Sequence, residues 1–386
     1  MTQAHTRADR GLVILELATA IAGPLGPRWL ADLGARVIKV ERPGEGDPMR
    51  TYGPPGFAAG PSFSYTGAGK ESVAIDMADP RGQELVRRMV AHVDVVVANF
   101  TPGTLEKLGL DYETLRSIKP NLVMCAVSGF GQTGPWRPVR AVDPVVQGEG
   151  GVIAMIGEPG DKPYMNRTAP VDSITATQSA LAVSAALLHR DRTGEGQFID
   201  VTLMESACAM DAVILPAALN GPIPERRGNI HPLGTSMTVL GERAHVIDLD
   251  EGSGAAAVAD LTGWPSAPLA DPAGFTAAVE TWWQAQGSDA AAIEALEARG
   301  VLVAPVLTPV EVSTYAHLRA RDAIRPVAQS DGDAAPVQAA PYRFSRATTE
   351  VRRAPGLAEH TAAVLSELLG VTDDELGVLR ADGIVA

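Results

Sequence analysis

The chain of 386 residues holds only two cysteines, Cys125 and Cys208, both set in apolar stretches. That excludes a disulfide framework and points to a reducing compartment, so a cytoplasmic setting is expected. No stretch reaches ~18 uninterrupted apolar residues, which argues against a membrane span. The first ten residues are polar and lack the apolar core of a secretion signal. Basic charge is scarce as well: 32 Lys and Arg stand against 46 Asp and Glu, a formal charge of −14. A general nucleic-acid binder or an anionic-membrane binder needs a net basic face, so neither partner is expected. One anionic small molecule remains admissible, because it needs only a few local cations.

Several catalytic signatures are missing too. Gly67-Ala68-Gly69-Lys70-Glu71-Ser72 resembles a phosphate loop, but Ser64 stands where the first glycine belongs and Glu71 follows the lysine. Both departures remove the loop's phosphate chemistry. The first strand-to-helix turn reads Ala22-Gly23-Pro24-Leu25-Gly26, without the G-x-G-x-x-G spacing that seats a dinucleotide pyrophosphate. No serine elbow of the G-x-S-x-G type is present. The seven histidines are scattered and none pairs at helical ligand spacing, so no metal is expected. Cys125 lies in an apolar strand, where a thiol is inert rather than nucleophilic.

What the sequence does contain is an alternation of strands and helices. Runs at 12–17, 36–41, 73–76, 93–98 and 122–128 are apolar and β-branched, with helical patterns such as 80–91 between some of them. This order predicts an α/β unit with a mainly parallel, Rossmann-like sheet and ligands at the carboxyl ends of its strands. After about residue 205 the texture changes. A hairpin is predicted over 236–249, helices over 275–286 and 290–299, and together they make a smaller α+β unit. One carboxylate stands out: Asp172, where a proline-containing loop meets a long alanine-rich helical pattern. Such a carboxylate either caps the helix or faces a cleft.

Taken together, these segments resemble the class III CoA-transferase family, which includes formyl-CoA and carnitine CoA-transferases and the α-methylacyl-CoA racemases. The resemblance runs through Ala22-Gly23-Pro24, the run 31–47, Val95 to Gly103, 105–109, Ser128 to Pro135, 189–197, 300–306 and 359–370. It covers nearly the whole chain. It implies that Asp172 is the nucleophile and that Arg42, Lys70, Asn99, Phe100 and Arg140 hold coenzyme A. The implied activity moves CoA between an acyl-CoA thioester and a free carboxylic acid through aspartyl intermediates, with no cofactor beyond the CoA substrate. The implied architecture is a ring-shaped chain interlocked with a second copy in a homodimer. Its parts are a large domain (1–205), a linker (206–230), a small domain (231–312), a second linker (313–350) and a C-terminal return to the large domain (351–386).

The free amides and dipole of a helix start would hold Asp172 ionised. Gly148, Gly150, Gly151 and Gly234 are candidate donors to a developing oxyanion, and Arg226, Arg227 and His231 could meet a substrate carboxylate. The racemase branch places a histidine before the aspartate of the segment Arg140-Ala141-Val142-Asp143. Valine cannot move a proton, which favours transfer over racemisation. Thr19, Glu71 and Thr101 stand where relatives often carry basic residues. They leave a non-catalytic acyl-CoA binder as a further alternative.

Overall fold

The computed structural model describes residues 11–53, 60–210, 214–221, 226, 228–231, 236–249, 254–264, 270–328 and 334–386. The chain divides into two compact units. The larger comprises Met1–Gly150, Thr168–Met210 and Ala316–Ala386, and the smaller comprises Gly151–Arg167 and Asp211–Tyr315.

Six parallel strands form the centre of the larger unit: β1 (Val13–Leu17), β2 (Arg36–Glu41), β3 (Glu71–Ala74), β4 (Val95–Ala98), β5 (Val123–Ser128) and β6 (Phe198–Thr202). Their order is β3-β2-β1-β4-β5-β6, so the direction of winding reverses between β1 and β4. Crevices of this kind, outside the carboxyl ends at a reversal, are where open α/β sheets bind ligands. The apolar runs are explained by burial on both faces: every residue of β4 and β5 is buried. The sequence reading missed β6, whose Phe-Ile-Asp-Val-Thr run sits at the sheet edge and is half polar.

Local chemistry fixes the helices. Asp79 caps the Pro80–Val90 helix by accepting the Arg81 N–H, and Gly34 ends the Leu25–Leu33 helix in the left-handed region at φ 116°. The C-terminal helices Thr361–Leu369 and Asp373–Ala381 place Val364, Leu365 and Leu376 in the core formed with Leu15, Ile38 and Val96. The Asp76 N–H donates to the Ile384 carbonyl at 2.8 Å, tying the chain's end to β3. One helix, Pro170–Thr193, is long and apolar enough by length and composition to cross a membrane. In this fold its Val171, Thr175, Ala176, Ser179, Val183 and Ala186 are buried in the larger unit.

The smaller unit pairs β7 (Ser236–Leu240), β8 (Ala244–Asp248) and β9 (Val303–Pro305) antiparallel, over a core of Phe275, Val279, Trp283 and Leu296. Two departures from the sequence reading concern its boundaries. Residues 151–167 group with the smaller unit rather than with the rest of 1–205. The segment 313–350 is not a plain linker, since it holds an antiparallel pair, Ile324–Ala328 with Ala334–Gln338. Pro326 lies opposite Pro336 there, an arrangement only a two-stranded ribbon with free edges tolerates.

Candidate functional site

At the winding reversal a cavity of about 520 Å³ opens, lined from the ends of four strands. Leu17 and Thr19 follow β1, Val40 to Arg42 end β2, Ile75 to Ala78 follow β3, and Phe100 follows β4. Its walls are mainly apolar, with the half-buried Phe100 ring on one side. Arg42 lies at the cavity with its side chain 69% exposed, paired with the equally exposed Glu45 at 3.2 Å. Asn99 does not line the cavity. Its side chain accepts the Thr19 N–H at 2.9 Å and donates to the Thr19 carbonyl at 2.7 Å, which locks the loop after β1 to the loop after β4. Gly23 has no space for a side chain there. A Cβ would stand 2.6 Å from that of Ala18 and 2.9 Å from the Asn99 side chain.

Beneath this floor lies an ion network. Lys39 meets Glu16 at 2.8 Å and Asp47 at 2.7 Å, and Lys70 meets Glu16 at 2.6 Å and the Pro24 carbonyl at 2.7 Å. All four side chains are at most 1% exposed. Burial works to lower the Lys39 pKa, yet two carboxylates more than offset it and the value is raised. For Lys70, burial outweighs the pull of Glu16 and, with the Lys39 charge nearby, pushes the value down to about 8. Lys70 is therefore placed inside the packing and not at a ligand surface: its ammonium braces the turn that starts the Leu25–Leu33 helix. Arg50 is likewise engaged, bidentate to Glu41 at 2.7 Å and stacked over Phe63 at 3.7 Å. Glu71 pairs with Arg36 at 2.9 Å.

Asp172 occupies the first turn of the Pro170–Thr193 helix. It does not cap: the N-cap residue is Ala169, and no side chain of the helix's own start bonds its free amides. The half-buried Asp172 carboxylate has neither a hydrogen-bond donor nor an ion-pair partner among the described residues. Its main-chain N–H donates to Asp143 Oδ2 at 2.9 Å. Asp143, 4% exposed, opens the Asp143–Glu149 helix, and its Oδ1 accepts a short hydrogen bond from Gln147 Nε2. Burial, and after it the Asp143 charge, push the Asp172 pKa up to about 7. The helix start was expected to hold this group ionised; burial and the Asp143 charge act in the opposite direction.

The other expected residues are dispersed. Arg140 is exposed in the loop before Asp143 and has no ion-pair partner among the described residues. The Gly150 N–H is spent on the Val146 carbonyl at 2.7 Å, so it is no oxyanion donor. Gly148 lies inside the same helix, and Gly151 follows it in the left-handed region. Arg226 donates to the Asp161 carbonyl at 2.6 Å within the smaller unit, where His231 also has a partner. Gly234 and Arg227 lie outside the described residues. Sequence reasoning passed over Asp47 and Gln147. The signals were there: Asp47-Pro48 is a turn cap, and Asp143 with Gln147 is an i, i+4 pair on a helix.

The sequence profile of the family described as CoA-transferase family III matches residues 10–361. A succinyl-CoA–D-citramalate CoA-transferase of Chloroflexus aurantiacus is 35% identical, over 96% of each chain. A succinate–glutarate CoA-transferase of Agrobacterium fabrum is 43% identical over 58% of each. Among solved structures, a CAIB/BAIF family protein from Brucella suis superposes with a TM-score of 0.83 at 35% identity, over 95% of this chain and all of the other.

Proposed function

The chain belongs to CoA-transferase family III, and on that premise we propose that it moves coenzyme A from an acyl-CoA to a free carboxylic acid, with Asp172 as the covalent relay. The observation that carries the reading is the Asp172 carboxylate itself. It caps nothing, holds no counter-ion among the described residues, and sits in a helix's first turn. A structural carboxylate at a helix start is normally tied to an amide; this one is left free to react.

The chemistry closes without an external acid or base. One Asp172 oxygen adds to the thioester carbonyl, the carbon–sulfur bond breaks, and CoA leaves as the thiolate, giving a mixed anhydride. The thiolate attacks the aspartyl carbonyl and releases the donor acid, leaving Asp172 as a CoA thioester. The acceptor carboxylate attacks that thioester, forms a second anhydride, and the thiolate then takes the acceptor's acyl group and frees Asp172. Each step exchanges one acyl carbon between oxygen and sulfur, so the thioester is conserved. A carboxylate raised to about 7 is more basic, and so more nucleophilic, than an ordinary one.

In this reading the cavity takes the adenosine end of CoA, with the Phe100 ring as a stacking face and Arg42 at hand for phosphate. With Thr19, Glu71 and Thr101 in place of basic residues, phosphate recognition falls to the exposed Arg42 at the cavity and to Arg140 in the loop before Asp143. The relatives named above act on succinyl-CoA or succinate, which favours a dicarboxylic donor here. Self-association belongs to the same proposal. The Pro170–Thr193 helix shows solvent an apolar stripe including Leu181 at 71% and Leu188 at 59% exposure, as a face covered by a second copy would.

Mass spectrometry after incubation with a panel of acyl-CoAs tests the relay. An acyl or CoA adduct on the Asp172 peptide is expected with the correct donor, and no adduct with any donor overturns the reading. Racemisation is tested in the same samples by deuterium uptake at the α-carbon, which Val142 makes unexpected.

A further inference from the structure

We propose that Asp143 is a positioning residue for the reaction at Asp172, and that Gln147 holds Asp143 in place for it. The inference rests on the reading of Asp172 as the nucleophile. The Pro170–Thr193 helix supplies no side-chain cap of its own. Asp143 provides one from another helix: its Oδ2 accepts the Asp172 N–H at 2.9 Å, fixing the turn that carries the nucleophile. Gln147, with no exposed surface, donates from Nε2 to Asp143 Oδ1 and at 3.3 Å to the Thr168 carbonyl. Both partners are acceptors, so the amide has one possible orientation. That orientation leaves Gln147 Oε1 buried without a donor among the described residues. A buried amide held at this cost makes sense if Asp143 must not turn away.

A cation at this position would cap nothing and would pin Asp172 as an inert ion pair. A carboxylate does the opposite. Two carboxylates at one helix start resist both being charged, and the repulsion ends when Asp172 becomes a mixed anhydride and its charge passes to the departing sulfur. Asp143 thus favours the acylated state over the free carboxylate. The helix also packs against elements carrying Arg28, Asp32, Cys125, Glu149, Asp200, Glu205 and Cys208. Arg28 and Asp32 neutralise each other, and Glu205 is bonded to Thr202. After burial, the charge that acts on the Asp172 carboxyl is that of Asp143.

The test is Asp143→Asn. Its oxygen still accepts the Asp172 N–H, and the Gln147 amide can turn so that Oε1 accepts from the new NH₂, so the fold survives. The rise of the acylation rate with pH should move down by about one pH unit. It should stop short of the ordinary carboxylate range, because burial, the larger cause, remains. The rate plateau should fall by about tenfold as the nucleophile becomes less basic, with KM for the acyl-CoA unchanged. Gln147→Met keeps the Asp143 charge. It should lower kcat without moving the pH limb, and it serves if Asp143→Asn fails to fold.

Carboxyl ¹³C NMR of the resting enzyme, with Asp172→Asn to assign the signal, reads the coupling without turnover. An Asp172 titration and a rate plateau both unchanged in Asp143→Asn overturn the proposal. A titration that moves while no donor yields an adduct on the Asp172 peptide removes the nucleophile reading, and this proposal with it.

Discussion

Glu16, Lys39, Asp47 and Lys70 lie beneath the cavity floor, while Asp143 and Asp172 meet at the start of the Pro170–Thr193 helix, and the two groups handle charge in opposite ways. In the first, every carboxylate meets an ammonium within 2.8 Å and no side chain is more than 1% exposed. In the second, two carboxylates share one helix start with no cation among the described residues, and one of them is half-buried. Charges paired off in this way hold a scaffold: Lys39 and Lys70 connect β1 and β2 to the turn that opens the Leu25–Leu33 helix. Charges left unpaired store free energy that a reaction can release. Opposite signs brace the floor; like signs raise the Asp172 pKa.

Replacing the like-charged member breaks the contrast most severely. Asp172→Asn should lower transfer by a factor on the order of 10⁴ or more, as removal of a covalent nucleophile does, measured as CoA exchange between two acids. The same variant should be more stable than the parent at pH 8. The folded pKa lies above the unfolded one, so ionisation disfavours folding between 3.8 and about 7 and the whole penalty applies above that window. The gain should be about 2 kcal/mol, below the full linkage value because the carboxylate is partly wetted. It should vanish below pH 4. Thermal melts at pH 4 and pH 8 decide it, and a variant no more stable at pH 8 contradicts the raised pKa. Lys39→Met tests the other side. It strands Glu16 and Asp47 beneath the floor and should cost about 3–5 kcal/mol, seen as a lower Tm at every pH where carboxylates are charged.

The parallel sheet was readable because β-branched runs buried on both faces leave an unambiguous apolar signature, as in Val95–Ala98 and Val123–Ser128. The edge strand Phe198–Thr202 escaped because only its last two residues are buried. Among the site candidates, Asp172 was singled out by its position at a loop-to-helix junction, but its environment was not. The burial of Asp172 and the Asp143 charge beside it come from tertiary packing, Asp143 lying 29 residues away in sequence. Lys39, Lys70 and Arg50 show the same limit: a cation in or near a strand looks alike in sequence whether it faces a ligand or a buried carboxylate. The resemblance implied Asn99 as a CoA contact, and the structure shows its amide engaged with the Thr19 backbone, a pairing no local pattern announces.

The smallest effect should come from the one cavity-lining cation outside both networks. Arg42→Ala removes an exposed group whose pair with Glu45 contributes under about 1 kcal/mol, so the Tm should not change. Its proposed task is a phosphate of CoA at the cavity, where an exposed guanidinium contributes through long-range attraction and one charge-assisted bond. Affinity for CoA, followed by calorimetry, should weaken by about tenfold at low salt, and the gap between variant and parent should close as ionic strength rises. Phe100→Ala would sharpen the result. Stacking is indifferent to salt, so its loss of about 1–3 kcal/mol should persist at high ionic strength. If Arg42→Ala binds CoA like the parent at low salt, the cavity does not hold the phosphate end, and the loop before Asp143 that carries Arg140 becomes the place to look.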